Sequence, residues 1–136
     1  MIYLDYAKAF DKVDHNLLLK KLKFFGIKGE LYLWIKEFLV GRYQTVIVDG
    51  FHSRRMPVLS GVPQGTVLGP ILFLLYVNDL DNCIVESNSC SFADDIKLVR
   101  QISYLHDTMA LQTDINAVVK WSTENNMQLY EDKFEL

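Results

Sequence analysis

Two adjacent aspartates, Asp94-Asp95, lie inside an apolar stretch, with Phe92-Ala93 before them and Ile96 and Leu98-Val99 after them. Residues 89–100 read as two strands around a tight turn at that pair. Two carboxylates at a hairpin tip between buried strands repel each other in a low dielectric, and a divalent cation offsets the repulsion. Magnesium takes a few carboxylates plus substrate phosphates in preference to a closed protein cage. Asp5, at the end of a second apolar strand, Ile2-Tyr3-Leu4, is a candidate third ligand. Three aspartates on neighbouring strand ends match a two-metal phosphoryl-transfer site. The fold must then bring residue 5 beside residues 94–95, which periodicity alone does not establish. The pair itself is a weak signal. With eleven aspartates in 136 residues, roughly one Asp-Asp dipeptide arises by chance, and a turn aspartate is ordinarily a solvated turn residue.

Local patterns supply the remaining elements. Asp14 can cap a helix whose apolar positions Leu18, Leu22 and Phe25 follow helical spacing, and Gly26 can end it. Its lysines, Lys20, Lys21 and Lys23, read as a solvated face. Residues 29–40 form a second helix with Leu31, Trp34, Ile35 and Phe38 as one stripe, stopped by Gly41. Residues 43–48 are strand-like, Asp49-Gly50 is a strong hairpin signal, and residues 51–58 are the returning strand. Residues 60–65 are a Gly/Pro loop. Residues 67–80 form a mostly apolar helix with Gly69-Pro70 in its first turn, where proline is tolerated. Leu105, Met109, Gln112, Ile115 and Val119 trace a long helix ending near Asn125-Asn126. Residues 127–130 and 133–136 read as two last short strands. Trp34 and Trp121 read as core. This order suits a single α+β domain, with an antiparallel sheet and helices on one face.

Half of the residues are apolar, enough for a real core. The longest apolar run, residues 71–77, is far short of a membrane span, and no charged-then-apolar leader is visible. Cys83 and Cys90 form no metal or redox pattern, so a reduced, intracellular protein is expected, in nucleus or cytoplasm. The net charge of −3 argues against holding nucleic acid by bulk attraction. An acidic metal site, with basic surfaces on other parts of a larger protein, reconciles that charge with a phosphoryl-transfer role. His15, His52 and His106 form no ligand set. Arg42, Arg54 and Arg55 near the hairpin suit phosphate contact and equally a solvated edge that discourages sheet pairing.

The motifs gain specificity together. Leu4-Asp5-Tyr6-Ala7-Lys8-Ala9-Phe10-Asp11-Lys12-Val13-Asp14-His15 resembles the first catalytic motif of non-LTR reverse transcriptases. Ser60-Gly61-Val62-Pro63-Gln64-Gly65-Thr66-Val67-Leu68-Gly69-Pro70-Ile71-Leu72-Phe73, continued by Tyr76-Val77-Asn78-Asp79-Leu80, resembles the second. Phe92-Ala93-Asp94-Asp95 resembles the third, and Trp121, Asn125-Asn126-Met127 and Lys133 resemble the fourth. The four stand in the family's order at family-like spacing, and the resemblance runs from Ile2 to Leu136, best to jockey-like or related LINE elements. It implies a polymerase palm, a ferredoxin- or RRM-like antiparallel sheet with helices packed on one face.

The resemblance also implies roles. Asp5, Asp94 and Asp95 would be catalytic and bind two Mg²⁺ ions, with Mn²⁺ as a substitute. Tyr6, Phe10, Pro63, Gln64 and Gly65 would line the nucleotide site. Phe10 falls where the family keeps an aromatic ring under the sugar, a clash for a 2′-hydroxyl; plain core packing is the competing reading. Gly61 and Gly65 would let backbone approach a ligand. Lys133 matches a general acid for the leaving pyrophosphate, or is an exposed lysine beside Glu131, Asp132 and Glu135. Tyr130 stands where many relatives have Asn, and Thr66 and Ile96 also depart from the commonest family residues.

The implied function is RNA-directed DNA polymerisation by a partial reverse transcriptase domain spanning residues 1–136. Its partners would be an RNA template, a DNA primer and deoxynucleoside triphosphates, with no membrane. The resemblance places the fingers upstream and the thumb downstream of these residues. The alternative is a catalytically inactive remnant of a mobile element, serving as an RNA-binding or interaction module. An ordinary RNA-binding domain fits less well, because no stretch matches the basic-aromatic RNP1 pattern.

Overall fold

The computed structural model describes residues 1–130. The chain builds one antiparallel sheet from β1 (Ile2–Asp5), β6 (Asn88–Phe92) and β7 (Asp95–Val99), in the order β1-β7-β6. Strand alternation explains which face is buried. Ile2 and Leu4 oppose Leu98 and Ile96, and all four are buried. Tyr3 and Asp5 oppose Lys97 and Asp95 on the outer face. On β1's free edge, Tyr6 bridges Leu129, the Ala7 N–H donates to the Gln128 carbonyl at 2.8 Å, and the Tyr130 N–H donates to the Asp5 carbonyl at 2.8 Å. The strand expected over residues 127–130 is thus a single bridge. The one expected over residues 133–136 lies outside the described residues.

Among the described residues five α-helices accompany the sheet: α1 (Ala9–Lys12), α2 (His15–Phe24), α3 (Gly29–Leu39), α4 (Leu68–Val77) and α5 (Leu105–Glu124). Leu18 and Leu22 of α2, Leu72, Phe73 and Tyr76 of α4, and Val118 and Trp121 of α5 form one core with Ile2, Leu4, Ile96 and Leu98. The architecture is therefore α+β, with helices against one sheet face. No helix among the described residues is long and apolar enough to cross a membrane. Cys83 and Cys90 are free thiols.

Helix α2 follows its local signals. The Asp14 carboxylate accepts the N–H groups of Asn16 (2.8 Å) and Leu17 (3.0 Å). Gly26, at φ +86°, lets the Ile27 N–H return to the Leu22 carbonyl. Its lysines do not share one solvated face. Lys21 Nζ reaches Asp79 Oδ1 at 2.7 Å and the Tyr76 carbonyl at 2.6 Å, and lies 4.8 Å from the Tyr76 and Trp121 ring centroids. Trp121 also donates to Asp79 at 3.1 Å. Burial pulls the Lys21 pKa below its ordinary value against the opposing pull of Asp79. The ammonium is kept because it is paired and capped by rings.

Two helix faces differ from expectation. In α3 the buried residues are Ile35 and Leu39, while Leu31 and Trp34 are exposed. Trp34 stacks on Phe38 at the surface instead of entering the core. Apolar residues surround this helix, so its periodicity left the face undetermined. In α5 the buried line is Asp107, Leu111, Asp114, Val118 and Trp121, whereas Leu105, Met109 and Val119 are exposed. The stripe is displaced because polar Asp107 and Asp114 occupy the inner face. Asp114 is 1% exposed and accepts the N–H groups of Val85 (3.0 Å) and Glu86 (3.1 Å). Burial alone would raise its pKa; those bonds outweigh it and hold the carboxyl below its usual value.

The hairpin of residues 43–58 is present but broken in two. β2 (Tyr43–Gln44) pairs with β5 (Met56–Pro57), and β3 (Ile47–Val48) pairs with β4 (Phe51–His52). Asp49 and Gly50 both have positive φ, as a two-residue type I′ turn needs.

Candidate active site

Register brings the expected carboxylates together. Asp5, the last residue of β1, stands directly opposite Asp95, the first of β7, and Asp95 in turn opposes Phe92 of β6. The turn lies one residue earlier than expected: Ala93 and Asp94 make it, and Asp95 already belongs to the strand. Ala93 adopts φ +54° and Lys8, just past β1, φ +53°. Such conformations cost a residue with a Cβ roughly 1–2 kcal/mol, and this strain brackets the aspartates on both sides.

The strands around this turn are not both buried. β6 is an edge strand reading Asn-Ser-Cys-Ser-Phe, with Phe92 82% exposed. Asp94 is half-buried and Asp95 exposed. Water therefore screens the two carboxylates, and their repulsion does not by itself demand a cation. A cavity of about 420 Å³ is bordered by Asp5, Asp94, Lys8, Lys12, Gln128 and Tyr130, among others. Asp95 is not among its walls. Among the described residues no three His, Cys, Asp or Glu side chains converge as a metal-ligand set. Two carboxylates on an open cavity still fit a magnesium ion, which commonly takes one or two protein carboxylates and completes its shell with water and phosphate oxygens.

The loop of residues 60–65 is fastened to α1 and to Val13 at its end. Gly61 N–H donates to the Val13 carbonyl (2.8 Å), Val62 N–H to the Phe10 carbonyl (2.9 Å) and Ser60 Oγ to the Asp11 carbonyl (2.8 Å). Gly61 has φ +87°, and a Cβ there would lie 2.9 Å from the Asp11 Cα. Its close approach is thus to the chain's own backbone, where a ligand was expected. Gly65, at φ +75°, faces open space. The Gly61 carbonyl accepts from His15 Nε2 (2.8 Å) and from the Arg42 guanidinium (2.9 Å). Gly69 admits the Pro63 carbonyl, which would stand 2.4 Å from a Cβ.

The decisive comparison is with protein families: the model described as "Reverse transcriptase (RNA-dependent DNA polymerase)" matches residues 1–136. The chain belongs to the reverse transcriptase family. It is 35% identical over 139 residues to the RNA-directed DNA polymerase from mobile element jockey of Drosophila melanogaster, covering 96% of this chain. It is 31% identical to the probable RNA-directed DNA polymerase from transposon X-element of the same species, covering 97% of this chain. A type-1 R2 retrotransposable element Pol polyprotein of Popillia japonica is 28% identical over 73% of it. The chain spans about 15% of the length of the jockey and X-element relatives.

Within this family member, the positions singled out by sequence fall into separate places. Pro63 and Gln64 border a second cavity of about 830 Å³, and Gln64 Nε2 donates to Asp11 Oδ1 at 2.9 Å. Gly65 lies beside it in the loop. Phe10 borders neither cavity; its ring is half-buried and stacks on Phe73 at 4.4 Å. Tyr6 borders the aspartate cavity, but its ring is buried against Trp121 and its hydroxyl meets Ser122 Oγ at 3.2 Å. Burial pushes its pKa up to about 12. Its side chain is therefore a core group and not a free nucleotide contact. Lys133 lies outside the described residues.

Three structural roles escaped sequence reasoning, which reads Arg42 only as a phosphate contact or a solvated edge. His15 is buried and clamps the loop through a carbonyl 46 residues away. Arg42 acts on the same carbonyl and on that of Leu39. Lys8 borders both cavities. Spacing carries no signal for the first two, because the contacts are non-local; the positive φ of Lys8 is visible only in the fold.

Proposed function

We propose that this chain carries the polymerising site of an RNA-directed DNA polymerase, on a palm-type sheet. The observation that carries the reading is the pairing of Asp5 with Asp95, with Asp94 at the turn and sharing Asp5's cavity. Asp5 and Asp94 would hold divalent metal, Mg²⁺ or Mn²⁺, with Asp95 reaching it from the adjacent strand position. Bound there, two ions would lower the pKa of a primer 3′-hydroxyl and neutralise charge on the leaving pyrophosphate. Lys8 and Lys12 bring positive charge to the same cavity, suited to the triphosphate of an incoming deoxynucleotide. The loop at Pro63, Gln64 and Gly65 would border the nucleotide and template. Phe10 would act through packing on Phe73, setting the wall near the sugar, and Lys133 would protonate pyrophosphate. The reaction joins the primer 3′-oxygen to the α-phosphorus and breaks the bond to pyrophosphate.

The test is primer extension on an RNA template with magnesium, using the chain alone and the chain placed within a full-length relative. Asp94→Ala and Asp5→Asn are each expected to reduce extension by about 100-fold or more, since groups one shell further out already cost 10–100-fold. Extension unchanged in either variant would overturn the assignment. One observation favours a second reading, an inactive fragment serving as an RNA-binding or interaction module: Asp95 stands outside the cavity that the other two aspartates share. No extension from either folded protein would select it.

A further inference from the structure

We propose that the free edge of β6 docks a second copy of this chain, the two β6 strands pairing antiparallel about a two-fold axis at Cys90. The sheet runs in the order β1-β7-β6. The outer edge of β1 is taken up by residues 128–130. Among the described residues the outer edge of β6 has no backbone partner. Proteins ordinarily guard such an edge with charge, proline or a bulge. β6 reads Asn-Ser-Cys-Ser-Phe, five uncharged residues without proline, in unbroken register from Asn88↔Val99 to Phe92↔Asp95. Four of the five are exposed, Phe92 by 82%. An unguarded edge of this kind is a template for another strand.

The hairpin fixes which backbone groups face outward. Ala93 and Asp94 form a two-residue turn, which closes on a hydrogen-bonded pair, Phe92 with Asp95. Bonded and non-bonded pairs alternate along an antiparallel ladder, so Cys90 and Asn88 also bond inward to β7. The N–H and C=O groups of Ser89 and Ser91 therefore point away from the sheet. A second copy satisfies all of them at once. With the two-fold axis at Cys90, Ser89 of each copy faces Ser91 of the other, and each of these pairs exchanges both its bonds. Cys90 then faces Cys90 as a non-bonded pair, and Phe92 gains cover beside Asn88 of the other copy. No like charges oppose each other in this register. The occupant that fits is a neutral, proline-free strand of the same length, and the chain itself supplies it as an isologous contact. A five-residue edge falls short of the roughly 20–30 residues a side of a standard interface, so the pairing is reversible. The inference does not rest on the polymerase reading, because β6 carries none of the aspartates.

The test combines sedimentation equilibrium of the reduced chain with disulfide trapping. Mass should rise from one chain toward two as concentration goes from micromolar to millimolar. Cys90 is a free, exposed thiol, and a non-bonded pair sets its Cα atoms about 4.5 Å apart, inside the disulfide range of roughly 4.4–6.8 Å. With oxidised glutathione as the oxidant, one Cys90 thiolate takes a glutathionyl sulfur and releases one glutathione. Cys90 of the second copy then displaces the other glutathione, so the electron pair and both protons leave on two reduced glutathiones. A covalent dimer joined Cys90 to Cys90 is expected, read by peptide mass spectrometry. Cys90→Ser should lose the cross-link and keep the reversible dimer. Asn88→Cys in the Cys90→Ser chain should not cross-link, because its cysteines would lie about 13 Å apart. Ser91→Pro removes an outward N–H that an edge strand can spare and should weaken the dimer about 10-fold or more. Cys90→Lys and Cys90→Glu, which set like charges face to face, should each be monomeric and should pair when mixed. A thermal melt verifies that each variant folds. A reduced chain that stays monomeric throughout, a dimer that survives both Ser91→Pro and Cys90→Lys, or equal cross-linking from position 88 would each overturn the inference.

Discussion

The two hairpins of this chain are built on the same plan and put to opposite uses. Each turns through two residues with positive φ at the first: Ala93 in one, Asp49 in the other. The β6–β7 hairpin is the more polar in its first strand, yet Ile96 and Leu98 of its second strand are 2% and 0% exposed. The 43–58 hairpin is the more apolar, yet Val46, Ile47, Val48 and Phe51 are between 60% and 81% exposed. Hydrophobicity did not decide which one joined the core. β7 has β1 along its other edge and helices behind it, so its inner face is covered. Among the described residues the longer hairpin pairs only with itself, and it projects. The β6–β7 hairpin holds carboxylates in a fixed register, and the projecting one carries at its base an exposed Tyr43 ring beside Arg55.

The largest test of this contrast is Leu98→Ala. It should cost about 2–5 kcal/mol, as cavity formation in a packed core does, read from the urea midpoint of the whole chain. A loss below about 1 kcal/mol would break the claim that β7 anchors the sheet.

A pH scan probes the same core. Burial pushes the pKa of Tyr6 and of Tyr76 up from the ordinary 10 to about 12. The raised value means the folded state keeps these protons longer than the unfolded state. Their contribution is therefore complete below pH 10 and is lost as pH climbs toward about 12, by at most about 2–3 kcal/mol for each. Melting temperature should fall over that range, and less steeply in Tyr6→Phe; an unchanged slope would remove that tyrosine from the account.

Gly61→Ala comes next, at about 2 kcal/mol or more, because a left-handed φ and a backbone clash with Asp11 coincide. Gly65→Ala, with the same φ strain but open space, should cost about 1 kcal/mol. Equal thermal shifts for the pair would show that the clash relaxes. Gly50→Ala should cost about 1 kcal/mol confined to the hairpin tip, visible as faster hydrogen exchange near residues 46–53 with the global midpoint unchanged. The smallest effect belongs to Phe51→Ser, within about 0.5 kcal/mol of the native chain; a greater loss would mean that the tip is packed against something.

What the sequence determined by itself was whatever depends on residues a few positions apart. The Asp14 cap, the Gly26 stop, the Asp49-Gly50 turn and the existence of α2, α3, α4 and α5 all rest on local backbone chemistry, and the four motifs named the family without any structure. The tertiary structure alone decided which faces turned inward. It exposed Trp34, paired a half-buried Lys21 with Asp79, rotated α5 so that Asp114 could accept the N–H groups of residues 85–86, and turned the Tyr6 ring into the core. It also moved the turn to Ala93-Asp94 and set Asp5 against Asp95, a pairing across 90 residues of chain. Helical and strand periods repeat within one segment and so report its shape. Burial and register are properties of two segments in contact, and the free energy that selects them is absent until the partner surface exists.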